Sequence, residues 1–491
     1  LVLGDTLLRW PYKDERFPRR TALVTALAFA LSPLVMVWSR VAVSDALLCG
    51  TLGISLLFGW RCYVNPSRNS WIYPWIVLSL AVLTKGPVAL VIMGMTFTLF
   101  AWFQRDFSLL WNRLRPVPGV LITVLISLPW YLLELFYEGK PFWDSFFGYH
   151  NFQRFTTVVN AHHEPWWFFL LMLVVASIPF TPVLISGLLR AVAARPKKFE
   201  SINNSPQDSL LGFAACWLIC VFLLFTFSGT KLPSYWLPAT PAAAILIGLV
   251  ESHMWRAKRN PYFLFVWIGS ITILFLLAFS FWSSLYWDQL GLLNYINDPE
   301  IPGLMNELVD SGILLRGSIC FAVSAIFGLI LIIRPMPGGL LALQGPLIFL
   351  HLLAFLPMTE IIDELRQLPL RKASELLIAS QRPGEALIMV GINKPSVHFY
   401  TRQVVLYESN KPRNLVNLTD RLAFEQRQGW VGKSLERKGF LDFFLRRNHL
   451  SASALMIIDE TSSGLPHWRG LSPNQLGKFG IYKVWRVERL T

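Results

Sequence analysis

Along the first 357 residues the apolar positions form long blocks broken by short polar connectors, without the alternation that marks a half-buried strand. A helix needs roughly 20 apolar residues to cross a bilayer. Blocks near 21–38, 45–60, 71–84, 88–103, 117–137, 166–189, 209–228, 236–251, 262–286, 313–333 and 340–357 therefore predict about eleven crossings. From about Pro357 the pattern changes to mixed sequence. Strand-like runs stand at 386–391, 404–407, 454–459 and 480–487, with a polar helical candidate at 371–381. The pattern predicts a polytopic α-helical membrane domain over 1–357 and a soluble α/β or α+β domain over 358–491.

Composition strengthens the first half of that reading: 54% of the 491 residues are hydrophobic and 15% are charged. The net charge of +14 would suit nucleic acid, but its placement argues against that partner. Lys13, Arg16, Arg19 and Arg20 share one connector, Arg61 and Arg68 another, and Arg105, Arg113 and Arg115 a third. Arg190, Arg195, Lys197 and Lys198, then Arg256, Lys258 and Arg259, then Arg334 continue the series on every second connector. Cytoplasmic connectors collect Lys and Arg. The remaining connectors then face outward, and by parity so does the C-terminal domain, in a periplasmic or extracellular space. The outward loop 287–312 carries only acidic charges: Asp288, Asp298, Glu300, Glu307 and Asp310. The five cysteines lie in or beside apolar blocks without metal-ligand spacing, which indicates neither a disulfide framework nor a zinc knuckle. The chain opens on Leu1 with what reads as the tail of a span, so an N-terminal part is expected to be absent. The sequon Asn417-Leu418-Thr419 is too short a pattern to carry an argument.

Four groups of polar residues do not belong to this scheme. Lys85 stands in "LTKGPVAL", in a run otherwise apolar or small from Trp71 to Phe103. A helix from Trp71 to Lys85 rises only about 21 Å against roughly 30 Å of hydrocarbon, and a mid-membrane charge costs about 2.5–3.5 kcal/mol. An ammonium there calls for a wet, protein-lined cavity, with Gly86-Pro87 supplying the break; the bland alternative is a lysine snorkelling to the surface. In "SRVAVSDALL", Arg40 and Asp45 stand at the outer start of a span, where Ser44-Asp45 could equally be an N-cap. "SGTKLPSYW" places Lys231 and Tyr235 on an outward connector, and "FFGYHNFQRFTTVVNAHHEPWW" adds His150, Arg154, His162, His163 and Glu164. His163 or His150 with a carboxylate could hold a divalent metal, its identity open, although most loop histidines bind none. Together these residues suit a lipid-linked phosphate, which Lys and Arg neutralise and stabilise as a leaving group.

In their order, "SRVAVSDALL", "LSLAVLTKGPVAL", "FFGYHNFQRF…HHEPWWFF" and "FSGTKLPSYWLPATP" resemble the GT-C polyprenyl-phosphate-sugar glycosyltransferases, the aminoarabinose transferase and protein O-mannosyltransferase relatives among them. The resemblance covers residues 20–250 and is weak beyond. It implies a GT-C-like bundle with a periplasmic C-terminal domain in the inner membrane. It implies a polyprenyl-phosphate sugar donor, a lipid (lipid A-like) or protein acceptor, and inversion at the anomeric carbon. On this resemblance Asp45 and Lys85 are catalytic, Asp45 at the family's second acidic position. Lys85, Lys231, Tyr235, Arg40 and Arg154 are expected around the donor phosphate, and His163 with His150 at a metal. By the same resemblance the family's first acidic residue, its preferred general base, is expected in a loop ahead of Leu1. A secondary transporter or flippase is the competing reading, but the polar residues gather toward one side and no repeat is visible.

Overall fold

The computed structural model describes residues 1–11, 17–158, 164–193, 209–254, 261–290, 300–334, 338–383, 385–392, 394–403, 405–408, 453–464 and 473–488. The chain divides into two compact units, one of Leu1–Trp282 with Arg316–His351, the other of Ser283–Leu315 with Leu352–Thr491. The second unit thus takes in the acidic stretch that the sequence assigns to a connector of the membrane domain.

The first unit is the polytopic helical bundle that the apolar blocks predict. A helix occupies each predicted block, but among the described residues only six stretches are long and apolar enough to cross a membrane, or seven if a bent pair counts as one. The shortfall has local causes. Block 21–38 splits into Pro18–Ala30 and Pro33–Trp38 because Ser32, next to a proline, is driven into extended backbone. Its hydroxyl then donates to the Ala176 carbonyl at 2.6 Å. Block 166–189 breaks the same way at Ile178, before Pro179, and its halves Phe168–Ser177 and Thr181–Ala193 meet at 114°. Ile72–Lys85, Val88–Gln104 and Leu210–Thr226 are apolar but shorter than a span.

The bundle packs around fully buried Trp60, Trp217, Trp236 and Trp267. Hydroxyl-to-carbonyl bonds tie neighbouring helices: Ser55 to Pro74 at 2.7 Å, Ser318 to Ala278 at 2.8 Å and Ser324 to Leu343 at 2.7 Å. Small polar side chains of this kind hold helices together where no hydrophobic driving force acts between them. Arg61, on a connector read as cytoplasmic, pairs with Asp5 at 2.9 Å and lies over the Trp10 ring.

The second unit holds a five-stranded sheet in the order β2-β1-β3-β5-β4, with β1 Ala386–Val390, β2 Leu406–Glu408, β3 Ser453–Asp459, β4 Asn474–Phe479 and β5 Tyr482–Glu488. β1 runs parallel to β2 and β3, while β5 is antiparallel to β3 and β4. Leu370, Ala373 and Leu377 of helix Leu368–Ser380 pack with Leu387, Met389, Leu455 and Ile457 on one face. Ile388, Val390, Met456, Ile458 and Trp485 form a cluster of their own. The strand-like runs all meet strands. β4 was not legible, because "NQLGKF" is a polar edge strand whose pairing with β5 is set by the turn at Gly480.

Candidate active site

The four groups of misplaced polar residues lie on distant segments of the first unit, and each sends at least one side chain to a single cavity of about 320 Å³. Asp45 and Ser44 enter from the start of helix Ser44–Val64, and Lys85 and Thr84 from the end of helix Ile72–Lys85. His150, Asn151 and Arg154 come from the outward segment, and Tyr235 and Ser228 from the connector.

Asp45 is not used as a cap. The helix begins at Ser44 with Val43 in extended backbone and no side-chain cap, and the Asp45 carboxylate instead accepts from the Lys85 ammonium. Nor does Lys85 snorkel to a lipid surface. Its side chain is 25% exposed, that of Asp45 13%, and both face the cavity. The ammonium also stands 5.0 Å from the centroid of the Tyr235 ring, in cation–π range. Tyr235 is held from behind by Phe225, with ring centroids 4.8 Å apart.

The turn after Lys85 is shaped by the segment that closes over it. Gly86 has φ +85°, and a Cβ there would stand 3.2 Å from both the Asn151 carboxamide oxygen and the Phe146 ring. Phe146 and Asn151 belong to the π-helix Trp143–Gln153, in which the Asn151 Nδ2 donates to the Phe146 carbonyl at 2.6 Å. A π-helical stretch of this kind is rare and concentrates at functional sites.

Arg154 follows that π-helix, and its backbone is clamped by the "SGT" of the connector. The Thr230 amide donates to the Arg154 carbonyl at 3.0 Å, and the Gly229 amide to the Phe155 carbonyl at 2.8 Å. Thr230 Oγ1 donates to the Thr157 carbonyl at 3.1 Å. The approach is so close that a Cβ on Gly229 would lie 2.6 Å from the Thr157 carbonyl oxygen. So held, the Arg154 guanidinium reaches the Tyr235 hydroxyl and the electrostatic range of Lys85, while its buried Nε has no partner. A buried donor left unpaired beside a second cation is chemistry that an anion would complete.

Lys231 and Arg40 are placed otherwise. The Lys231 Nζ donates to the Ser228 carbonyl at 2.9 Å, and Lys231 is not part of the cavity wall. Arg40 is exposed on the turn before Ser44 and also stands outside the wall. His163 lies outside the described residues. Among the described residues no three His, Cys, Asp or Glu side chains gather to hold a metal. His150 is on the wall, and Asp45, the one carboxylate among the described wall residues, is engaged by Lys85. Asn151 and Phe155 were missed in the sequence, although both stand in the quoted outward segment; neither carries the charge that drew attention to their neighbours.

Comparison with known proteins finds relatives for both parts of the chain. Residues 6–132 match the family model described as dolichyl-phosphate-mannose-protein mannosyltransferase, and residues 380–491 match the C-terminal domain of cyanobacterial RgtA-type glycosyltransferases. An uncharacterized protein of Aquifex aeolicus is 30% identical over 56% of this chain and 58% of its own length. An undecaprenyl phosphate-alpha-4-amino-4-deoxy-L-arabinose arabinosyl transferase of Pseudomonas aeruginosa is 31% identical over 50% of this chain and 43% of its own. The chain thus spans about half the length of the curated relatives it matches. Two crystal structures of ArnT from Cupriavidus metallidurans, one apo and one bound to undecaprenyl phosphate, superpose on it. The bound form has a TM-score of 0.70 over 99% of this chain and 81% of ArnT, at 20% identity. The chain has the GT-C fold, similar to the aminoarabinose transferases and protein mannosyltransferases.

Proposed function

We propose that this protein is an inverting membrane glycosyltransferase that moves a sugar from a polyprenyl-phosphate donor to a lipid A-like lipid or a protein acceptor. The observation that carries the reading is the cavity in which Lys85, Arg154, Tyr235 and Asp45 come together from four separate segments. The ArnT crystal structure bound to undecaprenyl phosphate and the arabinosyl transferase relatives support it.

In this reading the donor phosphate sits between Lys85 and Arg154, whose free Nε supplies a donor already in place. The acceptor hydroxyl attacks the anomeric carbon, forming the new C–O bond as the bond to the phosphate oxygen breaks. The departing electron pair stays on the polyprenyl phosphate, where the two cations stabilise it in place of a general acid. The proton of the hydroxyl goes to a carboxylate, and Asp45 is the one that the described residues put on the wall. Tyr235 and Phe225 keep the Lys85 ammonium from drifting out of range. A divalent metal enters the proposal only through His150 and His163, and no step is routed through it. The basic connectors support an inner-membrane orientation with the cavity and the C-terminal unit on the periplasmic side.

Membranes carrying the protein, incubated with radiolabelled polyprenyl-phosphate sugars, are expected to label a lipid or protein product. Uptake or translocation of the donor without any labelled product would replace this reading with the transporter one.

A further inference from the structure

Lys85 is the most telling group in the cavity because it already has an anion. Its ammonium is on the Asp45 carboxylate, although an arginine donor nearby is unpaired. One ammonium held in range by the Tyr235 ring can donate to two anions, but its single positive charge is then shared between carboxylate and phosphate, and each holds it less strongly than it would alone. We infer that donor phosphate and Asp45 compete for Lys85, so that loading the donor releases the Asp45 carboxylate and the acceptor binds productively only afterwards.

The inference rests on the reading of the cavity as a polyprenyl-phosphate site and adds an order of events to it. Before loading, the Asp45 carboxylate is paired with the Lys85 ammonium and is not free to receive the acceptor hydroxyl. As the phosphate arrives, Lys85 swings from Asp45 Oδ1 toward the phosphate oxygens, a change within reach of a side chain on the last residue of its helix. Arg154 does not need to move, since its backbone is clamped by Gly229 and Thr230 and its Nε is vacant. The cavity therefore has one fixed phosphate donor and one that is shared. A carboxylate freed only when the leaving group is neutralised keeps the base from acting before a donor is present.

The test measures binding of undecaprenyl phosphate to the full chain in nanodiscs. Wild type is expected to bind saturably, and Arg154→Ala to bind more weakly; if wild type shows no saturable binding, the phosphate-site reading and this inference fall together. Asp45→Asn, which removes the competitor, is expected to bind about tenfold tighter than wild type, within the range that coupled neighbouring charges give. In a Lys85→Ala background the same Asp45→Asn change should gain little. Equal or weaker binding by Asp45→Asn overturns the inference while leaving the phosphate site standing. An equal gain in the Lys85→Ala background also overturns it, since plain repulsion between carboxylate and phosphate would then be the cause. Should Asp45→Asn fail to fold, a structure of wild type with undecaprenyl phosphate decides: Lys85 off Asp45 and on the phosphate is expected, and Lys85 still on Asp45 refutes it.

Discussion

Lys85 carries most of the chemistry at the scale of single residues, and its environment sets how a change there is read. Breaking a sealed ion pair destabilises by about 3–5 kcal/mol, but these side chains remain 25% and 13% exposed to a cavity. Solvent screening brings the cost nearer to about 1 kcal/mol, so Lys85→Ala should stay folded. Its transfer rate is expected to fall roughly 10²–10³-fold, the loss seen when one donor to a developing anion is removed. Turnover measured beside thermal unfolding separates the two effects; a rate near wild type would remove Lys85 from the mechanism. Lys85 and Asp45 were legible in the sequence because a charge inside an apolar run is costly and needs a reason. Lys231 stood out for another reason, as a basic residue on an outward connector. A lysine on a tight connector can satisfy itself locally, and this one does so on the Ser228 carbonyl.

At the scale of elements, the outward segment and the "SGTK" connector form one device. The connector read as a Pro-containing turn, yet its Ser-Gly-Thr is an edge onto which residues 154–157 are hydrogen-bonded. Gly229 is required by the approach of a backbone, which cannot give way as a side chain tip can. Gly229→Ala is expected to cost about 1–3 kcal/mol and to part the two segments. Faster amide exchange at residues 229 and 230 and a fall in turnover comparable to that of Arg154→Ala would be the signs; unchanged exchange would show that the clamp is not what positions Arg154. The pairing could not be read from the sequence, since its partners are 73 residues apart and bond through backbone atoms that every residue has.

For the molecule as a whole, its two units depend on different forces. The bundle is held by burial of apolar side chains and by hydroxyl-to-carbonyl ties, neither of which titrates near neutrality. The sheet unit contains a buried ionic knot instead: Glu385 accepts from Arg486 Nε at 2.9 Å and from the Ser453 hydroxyl at 2.7 Å. Burial pushes the Glu385 carboxyl up, but Arg486, Ser453 and the Arg382 amide together outweigh it and hold the group below its ordinary value. A carboxyl lowered in the folded state stabilises above its unfolded pKa, near 4.5, and the contribution is lost as pH falls through the lower folded value. Amide exchange of β3 and β5 in the full chain, corrected for intrinsic rates, should therefore rise in acid below about pH 4.5. Glu385→Gln should be less protected at pH 7 and flatter below that point; a variant with the wild-type acid profile would move the cause elsewhere.

The order of apolar blocks by itself determined that the chain is a helical bundle followed by a strand-containing domain, and which charges stood out of place. Hydrophobicity acts locally and adds along the chain, so length and period can be read residue by residue. Only the tertiary structure decided that Asp45 meets Lys85 across 40 residues, that Arg154 joins them and that Lys231 does not. Those meetings depend on where helices bend at Ser32 and Ile178 and on how closely backbones approach at Gly86 and Gly229. Such angles and distances arise from packing among segments far apart in sequence, and no single segment carries them.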